Sequence, residues 1–364
     1  MYPEDYNYCS FHDIAVELVY PKELVKVCRA CGAKYTKEDN FCNRCEYDEP
    51  LIIIDETKRD IEIHEIPFTP DFNPKTYPNT FRELDELLTD ENIKRLLEFN
   101  LLQTDFDEII SNIQKTYKSN LDYLIDEYII NLKDIDITEK MILFCKSFVK
   151  MEYKEVGGDL GHFEFNKIHV DDRLETPLLI TTVIHEIAHF ILSEILEQIV
   201  QTLLECNKTD ALEAFVLHCL SSDVFNELVD EYCAHTVEGR YVPFGYQDYS
   251  SYKFVLRKFL EEYDEEWVEI AKLTGNTFAF YIKSIISTFI DETLRSEIKE
   301  EYNKLNDPKN YGEALHEIDR SLQWDEFRQC LKEMITRNLD KQITDFDAIR
   351  KMYAYSFKFS QNNE

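Results

Sequence analysis

Residues Thr176–Leu196 read TPLLITTVIHEIAHFILSEIL. Thr176-Pro177 opens the stretch as an N-cap followed by a proline at the first helical position. Neither Gly nor Pro interrupts the chain from there until past Cys206. On a helical wheel Val183, Ile187, Phe190 and Ile191 share one arc. Leu178, Thr182, His185 and His189 share another, with Glu186 on its flank. A helix apolar nearly all round is predicted to be buried. His185 and His189 are four apart, so they lie on one face, a turn apart, with Glu186 about 100° round from His185. Two histidines and a glutamate in a core are costly without partners. The spacing points to one shared zinc ion held by His185 and His189, with Glu186 in reach of its water.

A catalytic zinc takes three protein ligands and keeps one position for water. The metzincin spacing needs glycine at 192 and histidine at 195, where this chain has Leu192 and Ile195. The other common solution is a carboxylate from a second helix. Residues 221–239, SSDVFNELVDEYCAHTVEG, offer one, capped by Ser222 or Asp223 and ended by Gly239. Val224, Phe225, Leu228, Val229 and Tyr232 define its buried arc. Glu231 lies at the edge of that arc, Asp230 points nearly the opposite way, and Glu227 lies further round. Glu231 is therefore the preferred third ligand and His218 the runner-up. Ala234 is small enough to let two helices approach. His235, a turn beyond Glu231, is placed to orient a ligand by hydrogen bond.

His185, Glu186 and His189, followed by Glu231, Ala234 and His235, resemble the Glu-zincins, metallopeptidases with a His2Glu zinc site. The resemblance covers roughly residues 145–240. It implies a mainly helical α+β zincin-like domain with a small β-sheet, zinc-dependent hydrolysis of a peptide or protein substrate, and Glu186 as general base. His235 stands where members often carry Asp. In zincins a Tyr or His beyond the third ligand often stabilises the oxyanion, which makes Tyr241, with Tyr246 and Tyr249, the candidates here. Upstream, residues 161–170 alternate as β with a phase slip at Asn166-Lys167, read as a bulge or tight hairpin. His162 and His169 are expected at the strand surface. In zincins a strand at this place often pairs with an extended substrate. A zincin-like binding protein and a zinc amidohydrolase on a non-peptide substrate are the alternative functions.

A second zinc signature precedes this region. Cys28 and Cys31, then Cys42 and Cys45, form two CxxC pairs ten residues apart. Four thiolates make a closed structural site with no position for a reactive water. Over about residues 26–48 the pattern resembles short bacterial zinc ribbons. A segment this short cannot fold on its core alone, so the metal would hold it.

Composition bounds the rest. The chain has 364 residues and a formal net charge of −32, which makes unassisted nucleic-acid binding unfavourable. The N-terminal residues carry no signal-peptide pattern, and no membrane span is expected. Cys9, Cys145, Cys206, Cys219, Cys233 and Cys330 are scattered and read as free thiols, which points to the cytoplasm. The expected organisation is an N-terminal region with the ribbon (1–55), a Pro-rich linker (56–80), a helical region (81–150), the zincin-like core (151–250) and a C-terminal helical region (251–364). The ribbon and the C-terminal helices are the candidate surfaces for a protein partner.

Overall fold

In the computed structural model the described residues are 86–128, 130–153, 160–164, 167–243, 249–304, 320–337 and 339, with the backbone of four N-terminal strands. Those strands are β1 (Tyr8–Cys9), β2 (Leu24–Cys28), β3 (Lys34–Tyr35) and β4 (Glu49–Asp55), ordered β1-β4-β2-β3 and all antiparallel. The apolar run Leu51–Ile54 lies in β4, paired along β2. Cys28 is the last residue of β2, and Val27 faces Lys34 across the hairpin. Cys31, Cys42, Cys45, Tyr246 and the Pro-rich linker lie outside the described residues.

The rest is a mainly helical α+β body. Its elements run α1 (Asp90–Glu98), α2 (Gln103–Glu127), α3 (Ile137–Phe148), β5 (Lys150–Tyr153), β6 (Gly161–Glu164), β7 (Lys167–Val170), α4 (Thr176–Leu204), α5 (Asp210–Ser221), α6 (Val224–Glu238), α7 (Ser250–Glu262), α8 (Glu265–Ile286), α9 (Glu292–Asn303) and α10 (Trp324–Thr336). Most helix starts are written locally. Thr89, Asp136, Thr209, Asp223, Asp264 and Asp291 each accept a backbone N–H of the first turn that follows. α4 differs from expectation here. Its N-cap is Glu175, without a side-chain cap bond, and Thr176 is already helical. The Thr176 hydroxyl instead meets Thr138 Oγ1 at 3.1 Å, tying α4 to α3.

α4 is the axis of the body. By length and composition it could cross a membrane, yet it is mostly buried inside the protein. Helices α2, α3, α5, α6, α8 and α9 and strand β6 all pack on it. Val183, Ile184, Ile187, Ile191 and Ile195 are wholly buried, each worth about 1.5–3 kcal/mol of transfer free energy. Buried side chains from Leu87 to Leu339 form one continuous cluster, so α8, α9 and α10 share the core of α4. α6 lies between α4 and α8. A Cβ on Gly275 of α8 would stand 2.8 Å from Val229 O and 3.2 Å from Cys233 N, so only glycine lets α8 approach the α6 backbone this closely.

The second sheet has order β5-β7-β6, with β5 and β7 parallel and β6 antiparallel to β7. Glu164 pairs with Lys167, so β6 and β7 are consecutive antiparallel strands on either side of the phase slip. A Cβ on Gly161 would meet Thr182 Cγ2 at 2.5 Å and His169 O at 2.8 Å, and Glu186 Cγ at 3.5 Å. β6 is thereby pressed against the motif face of α4. His169 departs from its expected surface position. It is buried, its ring stacks on His162 with centroids 4.5 Å apart, and its Nδ1 lies 3.2 Å from Glu152 Oε2. β7 is the central strand, so its residues have neighbours on both sides.

Candidate metal centre

The helical repeat sets His185 and His189 one above the other on α4, and their Nε2 atoms lie 3.1 Å apart. Ridge packing of α6 across α4 brings Glu231 to the same point. Its Oε2 is 3.9 Å from His185 Nε2, and its Oε1 is 4.0 Å from His189 Nε2. Glu186, on the flank of this face, is buried beside β6.

The far sides of both rings are held. His189 Nδ1 donates to Asp230 Oδ1 at 2.7 Å. His185 Nδ1 donates to Glu238 Oε2 at 3.2 Å, and the same oxygen accepts from His235 Nδ1 at 3.2 Å. His235 Nε2 lies 2.9 Å from Ser251 Oγ and 3.7 Å from Glu231 Oε2. The Tyr249 ring packs edge-on against His235, with centroids 5.3 Å apart. A proton on Nδ1 leaves the Nε2 lone pair of a neutral ring facing inward. The two Nε2 atoms and a carboxylate converge, and the buried Oε2 of Glu231 has no hydrogen-bond partner.

The electrostatics answer this convergence. Burial works against a charge on His189, but Asp230, Glu231 and Glu186 outweigh it and push its pKa up to about 10. Burial and the neighbouring His235 hold His185 below its ordinary value, in spite of Glu238. Burial raises Glu231, yet His189, His185 and His235 together hold it below the usual carboxylate range. Burial likewise raises Glu238, and its hydrogen bonds from His185 and His235 overcome that. With His189 charged and His185 neutral, His189 Nε2–H donates to His185 Nε2. A proton thus sits between the two Nε2 atoms beside the Glu231 carboxylate, the place a cation would take.

No protein-family model, curated protein or solved structure matches this chain. What the site can do is therefore read from its own atoms. Among the described residues two groups of ligand atoms come close enough to share an ion: His185, His189 and Glu231, and His185, His235 and Glu238. The second group is already satisfied by protons, since both Nδ1–H groups donate to one oxygen. The first holds one proton between its two Nε2 atoms, which a metal would displace, and its donor set of two imidazoles and a carboxylate fits zinc with one position left open.

The remaining candidates fall elsewhere. His218 is buried on α5 and belongs to neither group. The Tyr241 hydroxyl meets Ser287 Oγ at 3.3 Å, and its ring lies under the Arg295 guanidinium. Asp230 corrects the wheel. It faces His189 because α6 is covered from several sides, by α4, α7 and α8, and the apolar arc marked only part of what is buried. Asp230, Glu238 and Ser251 were not picked out from sequence. Asp230 and Glu238 look like solvated acids in an acidic chain, and only their i−1 and i+7 spacing from Glu231 singles them out.

Proposed function

We propose that this protein is a zinc-dependent metallopeptidase, with one catalytic zinc on His185, His189 and Glu231 and one structural zinc on Cys28, Cys31, Cys42 and Cys45. The observation that carries the reading is the convergence of two Nε2 atoms and an unpartnered buried carboxylate oxygen beside Glu186. Zinc supplies Lewis acidity, acidifying a water and polarising the scissile carbonyl. Glu186 takes the proton of the attacking water and passes it to the leaving amine. Among the described residues β6 is the end strand of its sheet, against Glu186, where an extended peptide could pair with it. The antiparallel pairing of β2 with β3, and the end of β2 at Cys28, support the ribbon. Free thiols at Cys145, Cys206, Cys219, Cys233 and Cys330 support a reducing, cytoplasmic setting.

Metal analysis tests this directly. The purified chain is expected to hold about two zinc ions. His185→Ala removes one of them and Cys42→Ser the other. Retention of the full zinc content in His185→Ala removes the catalytic assignment.

The raised pKa of His189 gives a signed pH dependence. Metal-free, the charged ring stabilises the fold fully below its ordinary pKa of about 6.5, and this contribution is lost as pH rises through about 10. Zinc has to displace that proton, so its binding runs the other way. The apparent affinity is expected to tighten about tenfold per pH unit between about 6.5 and 10, with about one proton released per ion. Isothermal titration in buffers of different ionisation enthalpy measures both, and a pH-independent affinity contradicts the reading.

A further inference from the structure

The acids on the outer side of the two histidines are organised in a way the motif does not require. All come from α6, the helix that also carries Glu231. Asp230 precedes Glu231, and the two carboxylates diverge by about 100° round the helix. They bracket His189, one at 2.7 Å from Nδ1 and the other at 4.0 Å from Nε2. Glu238 lies two turns on and reaches His185 at 3.2 Å. His235 occupies the turn between. It donates to Glu238 through Nδ1 and faces Glu231 Oε2 at 3.7 Å through Nε2. The Glu238 side chain is 2% exposed and that of His235 is 3%, so water does not compete for these bonds.

We infer that Asp230 and Glu238 are positioning residues for the metal centre, each fixing the Nδ1–H tautomer of one ligand histidine, with His235 as a strut that ties Glu238 to Glu231. This inference rests on the metallopeptidase reading. Its physical content is that a ligand imidazole must present a bare Nε2, and an acceptor at Nδ1 keeps the ring in that tautomer and orientation. α6 then acts as one rigid unit, supplying a ligand and the orientation of the other two. The group formed by His185, His235 and Glu238 is not a second metal site in this scheme, since its ring nitrogens are donors.

Cobalt titration of the full-length protein tests the inference. Thiolate ligation gives charge-transfer bands that a His2Glu site lacks, so the two sites are read separately. Asp230→Leu is expected to weaken cobalt at the histidine site by about 10- to 100-fold. Asp230→Asn keeps an oxygen for Nδ1–H and is expected to recover most of that loss, and Glu238→Gln to behave likewise. Proton–nitrogen spectra of the zinc-loaded wild type, labelled at histidine, give a readout that needs no variant. They are expected to show Nδ1–H protons on His185 and His189. Folded Asp230→Leu with wild-type cobalt affinity overturns the inference while leaving the metallopeptidase reading intact. Nε2–H on either ligand ring overturns the inference in the same way. Absence of any cobalt at the histidine site in the wild type overturns both.

Discussion

Glu186→Gln is expected to bind zinc as the wild type does and to hydrolyse peptides about 10²- to 10⁴-fold more slowly. The substitution keeps the volume and one acceptor oxygen, so the buried packing against β6 stays. It removes the group that accepts a proton. Glu186 makes no part of the triad formed by His185, His189 and Glu231, so metal content should not follow activity. Loss of its charge also withdraws one of the influences that raise His189, which eases the release of the proton that zinc displaces. The measurement is paired: zinc content by elemental analysis, and turnover on a fluorogenic peptide mixture. Cleavage by the variant at the wild-type rate sinks the proposed mechanism. Wild-type activity on non-peptide amides that Glu186→Gln lacks, with none on peptides, moves the proposed function to another hydrolase class.

Gly275→Val is expected to destabilise the body by about 3 kcal/mol, at the top of the usual range for overpacking. The reason is which atoms stand in the way. A Cβ at this position meets a backbone carbonyl and a backbone nitrogen of α6, at 2.8 and 3.2 Å, together with the Tyr232 ring. Backbone inside a helix cannot move aside as a side-chain tip can, so α8 has to withdraw along its length. Val229 and Cys233 flank Asp230 and Glu231 in sequence, so the displaced helix is the one that carries Glu231. Weaker zinc binding is expected to accompany the lower stability. Urea denaturation with and without chelator separates the two effects. A variant with the wild-type midpoint would mean that the two helices meet more loosely than 2.8 Å implies.

Local chemistry made much of this protein legible from its chain. An uninterrupted apolar run announced α4 as a buried helix, and four-residue spacing put His185 and His189 on one face of it. Asp223 marked where α6 begins, and the alternation on either side of Asn166-Lys167 marked β6 and β7. These are properties of a helix or strand relative to its own axis, so short-range periodicity suffices to read them.

What covers each face is a different matter, and only the tertiary structure decided it. Asp230 reads as pointing away because a wheel drawn on one apolar arc cannot know that α4, α7 and α8 close around α6 from several sides. Glu238 reads as an ordinary acid at a helix end until α4 brings His185 to it. Ser251 enters the site from the next helix, and His169 is buried because β7 takes the centre of its sheet. The C-terminal helices, legible as a separate region, join the core of α4 because that helix has apolar surface on every side to cover. The motif named the paired histidines. The long-range packing of α6 on α4, which no local spacing encodes, brought Glu231 to them and set an acid behind each ring.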